Sequence, residues 1–110
     1  SSTAKRARQT VKLLSEAAGY AGEIQWLESL YAAPPAAYLQ ACLGLPDSVQ
    51  TVMVVGHNPG LEELLAGLTG EMQSLPTAAL AEVELPIESW QDLQQPVRGR
   101  LLHLWRPKAL

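Results

Sequence analysis

The sequence predicts a layered α/β domain. Helical patterns alternate along the 110 residues with short apolar runs that suit β-strands. Residues 52–55, Val-Met-Val-Val, are apolar without alternation, which is typical of a strand covered on both faces. The turn residues 56–60 join that run directly to a helical pattern. Because 110 residues provide one modest core, we predict a single domain over residues 1–110.

The first helix is predicted to start at an N-cap among Ser1–Thr3 and to end near Gly19. Its apolar stripe is formed by Ala4, Ala7, Val11, Leu14 and Ala18. Lys5, Arg6 and Arg8 occupy its first turns, where the helix dipole favours acidic residues. An anion bound at this end would explain the arginines, since the guanidinium fork matches two phosphate oxygens. The alternative is a solvated basic face.

The next elements are a short strand over Glu23–Trp26 and a second helix from Ala36 to Gly44. Pro34 and Pro35 break any earlier helix and permit a new one to begin directly after them. Gly44 suits the end of that helix.

The turn after residues 52–55 carries His57, a lone polar side chain between a strand and a helix. Asn58 is predicted to cap this third helix, with Pro59 at its first position, and Gly70 is predicted to end it. The free backbone N–H groups of its first turn would then form an anion site beside His57.

The C-terminal part is predicted to contain two strands. Residues 77–85 alternate imperfectly, so one face of that strand is expected to be wet. A polar connection carrying Trp90 follows, and Arg100–Trp105 forms the last strand. His103 lies among apolar residues of this strand, which favours a structural histidine whose hydrogen bonds are satisfied.

Net charge, residue spacing and the lack of two catalytic motifs argue against several classes of function. The net charge of −3 gives no signature for nucleic acid, and no apolar run is long enough to span a membrane. The soft metal ligands His57, His103 and Cys42 match no zinc spacing. The nucleophile elbow of serine hydrolases and the Walker phosphate loop are both missing. A single cysteine fits a reducing, cytoplasmic compartment.

Two stretches, S-S-T-A-K-R-A-R-Q-T at residues 1–10 and V-M-V-V-G-H-N-P-G-L at residues 52–61, resemble the histidine phosphatase superfamily. The resemblance is to its phosphoglycerate mutase-like branch, and within that to phosphohistidine phosphatases of the SixA type. It implies a three-layer αβα sandwich and a reaction without metal or other cofactor. It also implies that Arg6 and His57 bind the phosphoryl group. Asn58 is a further phosphate-binding candidate because it lies at the predicted N-terminus of the third helix.

The sequence departs from this family at one essential motif. The family's Arg-His-Gly, whose histidine is the nucleophile, would lie on a first, central strand beside residues 52–55, and the given sequence does not contain it. The resemblance therefore implies a sheet whose central strand is missing from this chain. We expect the gap to be filled by a separate N-terminal segment, by a neighbouring copy in a homo-oligomer, or by rearrangement of the sheet.

Two classes of function stay open. The first is a phosphatase acting on phosphohistidine in a protein or on a small phosphomonoester. Glu28 is the candidate proton donor for an oxygen leaving group, against the alternative of a solvated surface residue. The second class is a non-catalytic phosphate-binding or interaction domain that keeps Arg6 and His57 but lacks the nucleophile.

Overall fold

The structure is a computed structural model and describes residues 1–107. Within these residues, the chain forms three α-helices, two short 3₁₀-helices and a two-stranded antiparallel sheet, and the third α-helix packs against both strands. The α-helices are α1 (Lys5–Ala18), α2 (Pro35–Leu43) and α3 (Gly60–Thr69), the strands are β1 (Leu80–Glu84) and β2 (Arg100–Trp105), and the 3₁₀-helices are Glu28–Leu30 and Trp90–Gln94. The predicted α/β class is confirmed.

Helix α1 ends as predicted and begins differently. Gly19 adopts the left-handed conformation, with φ of 64°, and its N–H bonds back to the carbonyl of Glu16. The N-cap is Ala4, which has no side chain to cap the helix, so the predicted capping by Ser1–Thr3 is wrong. The apolar stripe is buried at Ala7 and Val11, but the C-terminal half of the helix is open to solvent.

Helix α2 contributes buried residues to both apolar clusters of the core. It begins at Pro35, one residue before the predicted start, because proline fits the first helical position. Its Tyr38 is 1% exposed, and Cys42 packs with Trp90 and Leu93. The helix therefore joins the core around Tyr38 to the core beneath the second 3₁₀-helix.

Strands β1 and β2 pair in an antiparallel register that places Leu80 opposite Trp105 and Glu82 opposite His103. The predicted wet face is confirmed, because Leu80, Glu82 and Glu84 are exposed while the alternate residues are half-buried. His103 is not enclosed by its apolar neighbours in the sequence. Its side chain is 63% exposed, and its Nδ1 lies 2.7 Å from a carboxylate oxygen of Glu82, because it occupies the solvent face of the ladder.

The predicted strand at residues 52–55 is extended but does not pair as a regular strand. Within residues 1–107, its one backbone bond to a distant segment is from the N–H of Ser2 to the carbonyl of Val55, at 2.9 Å. The predicted strand Glu23–Trp26 is likewise absent, although the next residue, Leu27, forms an isolated parallel bridge with Ser2. Ser2 thus lies between these two segments and contacts each of them. Neither segment forms a regular strand, because a strand requires pairing over several consecutive residues.

A groove of about 820 Å³ opens between residues 51–54 and strand β1. Leu61, Leu64 and Leu65 of α3 also line it. β1 pairs with β2 alone, and no strand of residues 1–107 pairs with residues 51–54. Two unpaired backbone edges therefore border an apolar groove in the described part of the chain.

No helix within residues 1–107 combines the length and apolar character needed to cross a membrane.

Candidate functional site

The site is built around His57, which ends the extended segment and precedes α3. The His57 backbone N–H donates to the hydroxyl of Tyr38 at 3.2 Å, and its carbonyl accepts from the N–H of Leu61 at 3.0 Å. Because Tyr38 is almost fully buried in the core, its hydroxyl is a fixed point. The backbone of His57 is therefore held from both sides.

The glycines on either side of His57 are required by close approach. A side-chain carbon on Gly56 would collide with the hydroxyl of Tyr38, and one on Gly60 would collide with the backbone carbonyl of Ala33. Gly56 and Gly60 therefore allow the His57 loop to pack closely against α2 and against the segment before α2.

The His57 ring contacts Ser2, which sequence analysis treated only as part of a helix cap. Nε2 of His57 lies 2.9 Å from Oγ of Ser2, although 55 positions separate the two residues. Ser2 is fully buried, and its Oγ also accepts from the N–H of Ala4 at 3.2 Å. The ring of Tyr31 lies 5.8 Å from the His57 ring, centroid to centroid. The one signal for Ser2 in the sequence is its place in the first motif.

The contact between Ser2 and His57 brings the start of α1 next to the histidine, and Arg6 lies on the first turn of that helix. The side chain of Arg6 is exposed, and its guanidinium has no hydrogen-bond or ion-pair partner within residues 1–107. Arg8 differs, because its Nε donates to the carbonyl of Thr3 at 2.8 Å and its guanidinium lies 5.6 Å from the ring centroid of Trp26. Of these two arginines, Arg6 is the one available to a ligand.

Asn58 lies two residues before α3, whose N-cap is Pro59. Its Oδ1 accepts from the N–H of Glu62 at 3.2 Å, and its Nδ2 donates to the carbonyl of Leu75 at 2.6 Å. The predicted N-cap at Asn58 with Pro59 as the first helical residue is therefore wrong, because the helix begins one residue later, although the side chain of Asn58 still accepts from an amide of its first turn. One hydrogen of its amide is used within the fold, and the other points to no acceptor in the described chain.

The prediction that the first turn of α3 has free backbone N–H groups is wrong for three of its residues. The N–H groups of Leu61, Glu62 and Glu63 already donate to acceptors in residues 57–59. The cause is that hydrogen bonding begins at the carbonyl of His57, before the first residue of the helix. An anion beside His57 would consequently depend on side chains more than on helix amides.

Glu28 begins the first 3₁₀-helix and is exposed. It follows Leu27, which bridges to Ser2, and precedes by three positions Tyr31, whose ring lies near His57. The candidate proton donor is therefore on the segment that borders the site. No group of three potential metal ligands occurs among residues 1–107.

Comparisons with known proteins identify the fold. No protein-family model matches the chain. An uncharacterized protein of Mycobacterium leprae (strain TN) is 29% identical over 103 residues, which are 94% of this chain, and the chain spans 60% of that relative's length. A solved structure from Nakamurella multipartitia, of a proposed phosphohistidine phosphatase SixA, superposes with a TM-score of 0.83 at 23% identity, covering 98% of this chain and 69% of that one. The chain therefore has a SixA-like α/β fold.

Proposed function

We propose that this chain is part of a phosphatase of the histidine phosphatase superfamily that removes the phosphoryl group from phosphohistidine. The observation that carries the proposal is the 2.9 Å contact between His57 and Ser2, because it brings the start of the helix bearing Arg6 against a rigidly held histidine. The SixA-like fold supports the same conclusion. Arg6 and His57 are the residues that the family resemblance assigns to the phosphoryl group.

Arg6 and His57 supply complementary contacts to a phosphoryl group. The guanidinium of Arg6 carries a permanent charge and a planar pair of donors suited to two phosphate oxygens. His57 has one ring nitrogen, Nδ1, without a partner in the described residues. The second amide hydrogen of Asn58 is a third donor in reach of the same turn. We assign the main binding role to Arg6 and His57 and a supporting role to Asn58.

In the family that this chain resembles, the nucleophile is the histidine of an Arg-His-Gly motif. The two histidines of this sequence, His57 and His103, lie in other contexts. We propose that a further strand, ending in Arg-His-Gly, supplies the nucleophilic histidine.

The groove beside residues 51–54 supports this proposal. A strand seated there would have β1 on one side and residues 51–54 on the other, and strand spacings of about 4.8 Å would let it pair with both edges. It would join β1 and β2 to the short pairings of Ser2 with Val55 and Leu27 in one continuous sheet. With helices on both faces, that sheet would be the three-layer sandwich expected for the family.

The proposed reaction proceeds in two displacements. A nitrogen of the nucleophilic histidine attacks phosphorus, the bond from phosphorus to the substrate nitrogen breaks, and the leaving imidazole departs as the protonated group. Water then attacks phosphorus, inorganic phosphate leaves, and the nucleophile is restored. Arg6 and His57 stabilise the charge on the equatorial oxygens in both steps. The chemistry requires no metal.

Glu28 decides between substrate classes in this proposal. An oxygen leaving group needs a proton from an acid, whereas an imidazole leaving group already carries one. Glu28 is exposed on a short 3₁₀-helix, which is a weak setting for a general acid. We therefore propose phosphohistidine in a protein ahead of a small phosphomonoester. A cytoplasmic location, suggested by the single cysteine, stays a prediction.

A non-catalytic phosphate-binding domain is the second candidate function. It is favoured by one observation, that neither His57 nor His103 lies in an Arg-His-Gly motif. The two candidates share Arg6 and His57 and differ in what occupies the groove. A segment bearing Arg-His-Gly in the groove makes the protein an enzyme, and any other occupant makes it a binding module.

The proposed binding site is tested by titrating the protein with phosphate, vanadate or tungstate. Arg6→Ala should weaken the affinity about fivefold or more, which is the loss of one charge-assisted hydrogen bond of roughly 1 kcal/mol or above. Arg8→Ala is the matched control, since it removes the same charge from the same helix but a side chain already engaged by Thr3 and Trp26. Equal affinities for Arg6→Ala and the parent protein would overturn the proposal.

Catalysis is tested separately by following release of inorganic phosphate from a phosphohistidine protein and from a phosphomonoester. The protein used must include the segment that fills the groove. Glu28→Gln should reduce hydrolysis of the ester more than hydrolysis of phosphohistidine. Anion binding without any release of phosphate would support the binding module.

A further inference from the structure

The hydroxyl of Ser2 is enclosed between two partners. Ser2 has no exposed surface. Its Oγ accepts a hydrogen bond from the N–H of Ala4 at 3.2 Å and lies 2.9 Å from Nε2 of His57. No other polar side chain in the described residues contacts this hydroxyl, so its hydrogen-bond pattern determines that of the histidine.

The direction of the bond between Ser2 and His57 follows from counting donors and acceptors. A hydroxyl has one hydrogen to donate and two lone pairs to accept with. The N–H of Ala4 uses a lone pair, and among residues 1–107 the hydroxyl hydrogen has one acceptor within hydrogen-bond distance, Nε2 of His57. If Nε2 carried a hydrogen instead, the Ser2 hydrogen would be buried without an acceptor, which folded proteins avoid. Ser2 therefore donates, and in the neutral ring the hydrogen resides on Nδ1.

We propose that Ser2 is a positioning residue that fixes the His57 ring as its Nδ1–H tautomer and presents Nδ1–H to the phosphoryl group. The partner of one ring nitrogen determines which nitrogen is protonated, and here that partner is Ser2. Nδ1 itself has no partner in the described part of the chain. The inference deepens the proposed function and rests on it for the identity of the ligand.

The tautomer matters because phosphoryl oxygens only accept hydrogen bonds. With the hydrogen on Nε2, a neutral His57 would turn the lone pair of Nδ1 towards the anion, which is repulsive. With the hydrogen on Nδ1, the ring is a preorganised donor that needs no proton from solvent. The Tyr38 bond to the His57 backbone and the Ser2 bond to its ring thus hold the donor from two directions.

The tautomer is measured directly by two-bond ¹H–¹⁵N correlation spectra of His57, recorded at a pH at which the ring is neutral. The unaltered protein should show the Nδ1–H pattern. Ser2→Ala should shift the ring towards the Nε2–H pattern, and Ser2→Thr, which keeps a hydroxyl, should retain Nδ1–H. Ser1→Ala is the matched control, because Oγ of Ser1 bonds only to the carbonyl of Ser2. An Nε2–H pattern in the unaltered protein overturns the proposal whether or not Ser2→Ala folds.

Inorganic phosphate binding provides the second readout. Ser2→Ala should weaken phosphate affinity about five- to tenfold, as expected for one hydrogen bond, with Ser1→Ala unchanged. If phosphate binds and Ser2→Ala leaves both tautomer and affinity unchanged, the role of Ser2 is wrong while the proposed function stands. If the unaltered protein binds no phosphate but the tautomer follows Ser2, the proposed function fails and the positioning of His57 by Ser2 stands.

Discussion

Replacing Tyr38 with phenylalanine should destabilise the protein through one lost hydrogen bond. The Tyr38 hydroxyl accepts from the backbone N–H of His57 at 3.2 Å, and the side chain is 1% exposed. Phenylalanine keeps the ring that packs against Gly56 and Gly60. The substitution therefore isolates the hydroxyl, and it leaves the His57 N–H facing an apolar edge.

The size of the effect follows from this geometry. An N–H left without its acceptor in a partly buried position costs about 1–2 kcal/mol. Unfolding entropies near 2.1 cal/mol/K per residue give roughly 0.23 kcal/mol/K for 110 residues. A loss of about 1.5 kcal/mol therefore lowers Tm by about 6 °C.

Thermal unfolding followed by circular dichroism checks this prediction. Tyr20→Phe is the matched control, because its hydroxyl donates to the carbonyl of Glu23 at 2.7 Å in an exposed turn; it should change Tm by less than about 2 °C. The His57 amide resonance should also move in Tyr38→Phe. The reasoning is refuted if Tyr38→Phe has the same Tm as the parent protein, or if Tyr20→Phe lowers Tm as much as Tyr38→Phe does.

Two further predictions concern the groove and the buried thiol. Because the groove beside residues 51–54 is apolar and bordered by unpaired edges, the 110-residue chain should bind an anilinonaphthalene dye and self-associate. A monomer that binds no dye would contradict the proposal that a further strand belongs in the groove. Burial raises the pKa of the Cys42 thiol above its ordinary value of 9.0. As pH rises above 9, the thiol therefore loses its proton in the unfolded state before it does so in the folded state, and the free energy of unfolding declines. Denaturant titrations at pH 8 and pH 10 should show a smaller decline in Cys42→Ala, and an equal decline in both proteins would contradict the assignment.

Local chemistry was sufficient to predict most helices and the C-terminal strands. Gly19 ends α1 and Gly70 ends α3, both with positive φ, because glycine adopts that conformation without strain. Pro34 and Pro35 place the start of α2 to within one residue. The wet face of β1 follows from its alternating charged residues. Each of these signals lies within a few residues of the feature that it determines.

Predictions that depended on distant partners were less accurate. Residues 52–55 have the composition of a strand, but pairing requires a neighbour along their length, and the described chain offers only the N–H of Ser2. His103 has apolar neighbours in sequence, yet the register of β1 and β2 turns it to solvent beside Glu82. Residue composition was therefore enough to identify these two segments, but strand pairing determined which of their side chains are exposed and which backbone groups are bonded.

The candidate site divides in the same way. The sequence by itself determined that an arginine lies in the first turn of α1 and that His57 lies in a turn between an extended segment and a helix. Only the tertiary structure decided that Ser2 reaches His57 across 55 positions and that Tyr38 holds its backbone. It also decided that the amides at the start of α3 are already occupied. The physical reason is that helix ends and turns are set by backbone preferences of neighbouring residues, whereas the partner of a buried polar atom is set by which distant segment the packing brings within about 3 Å.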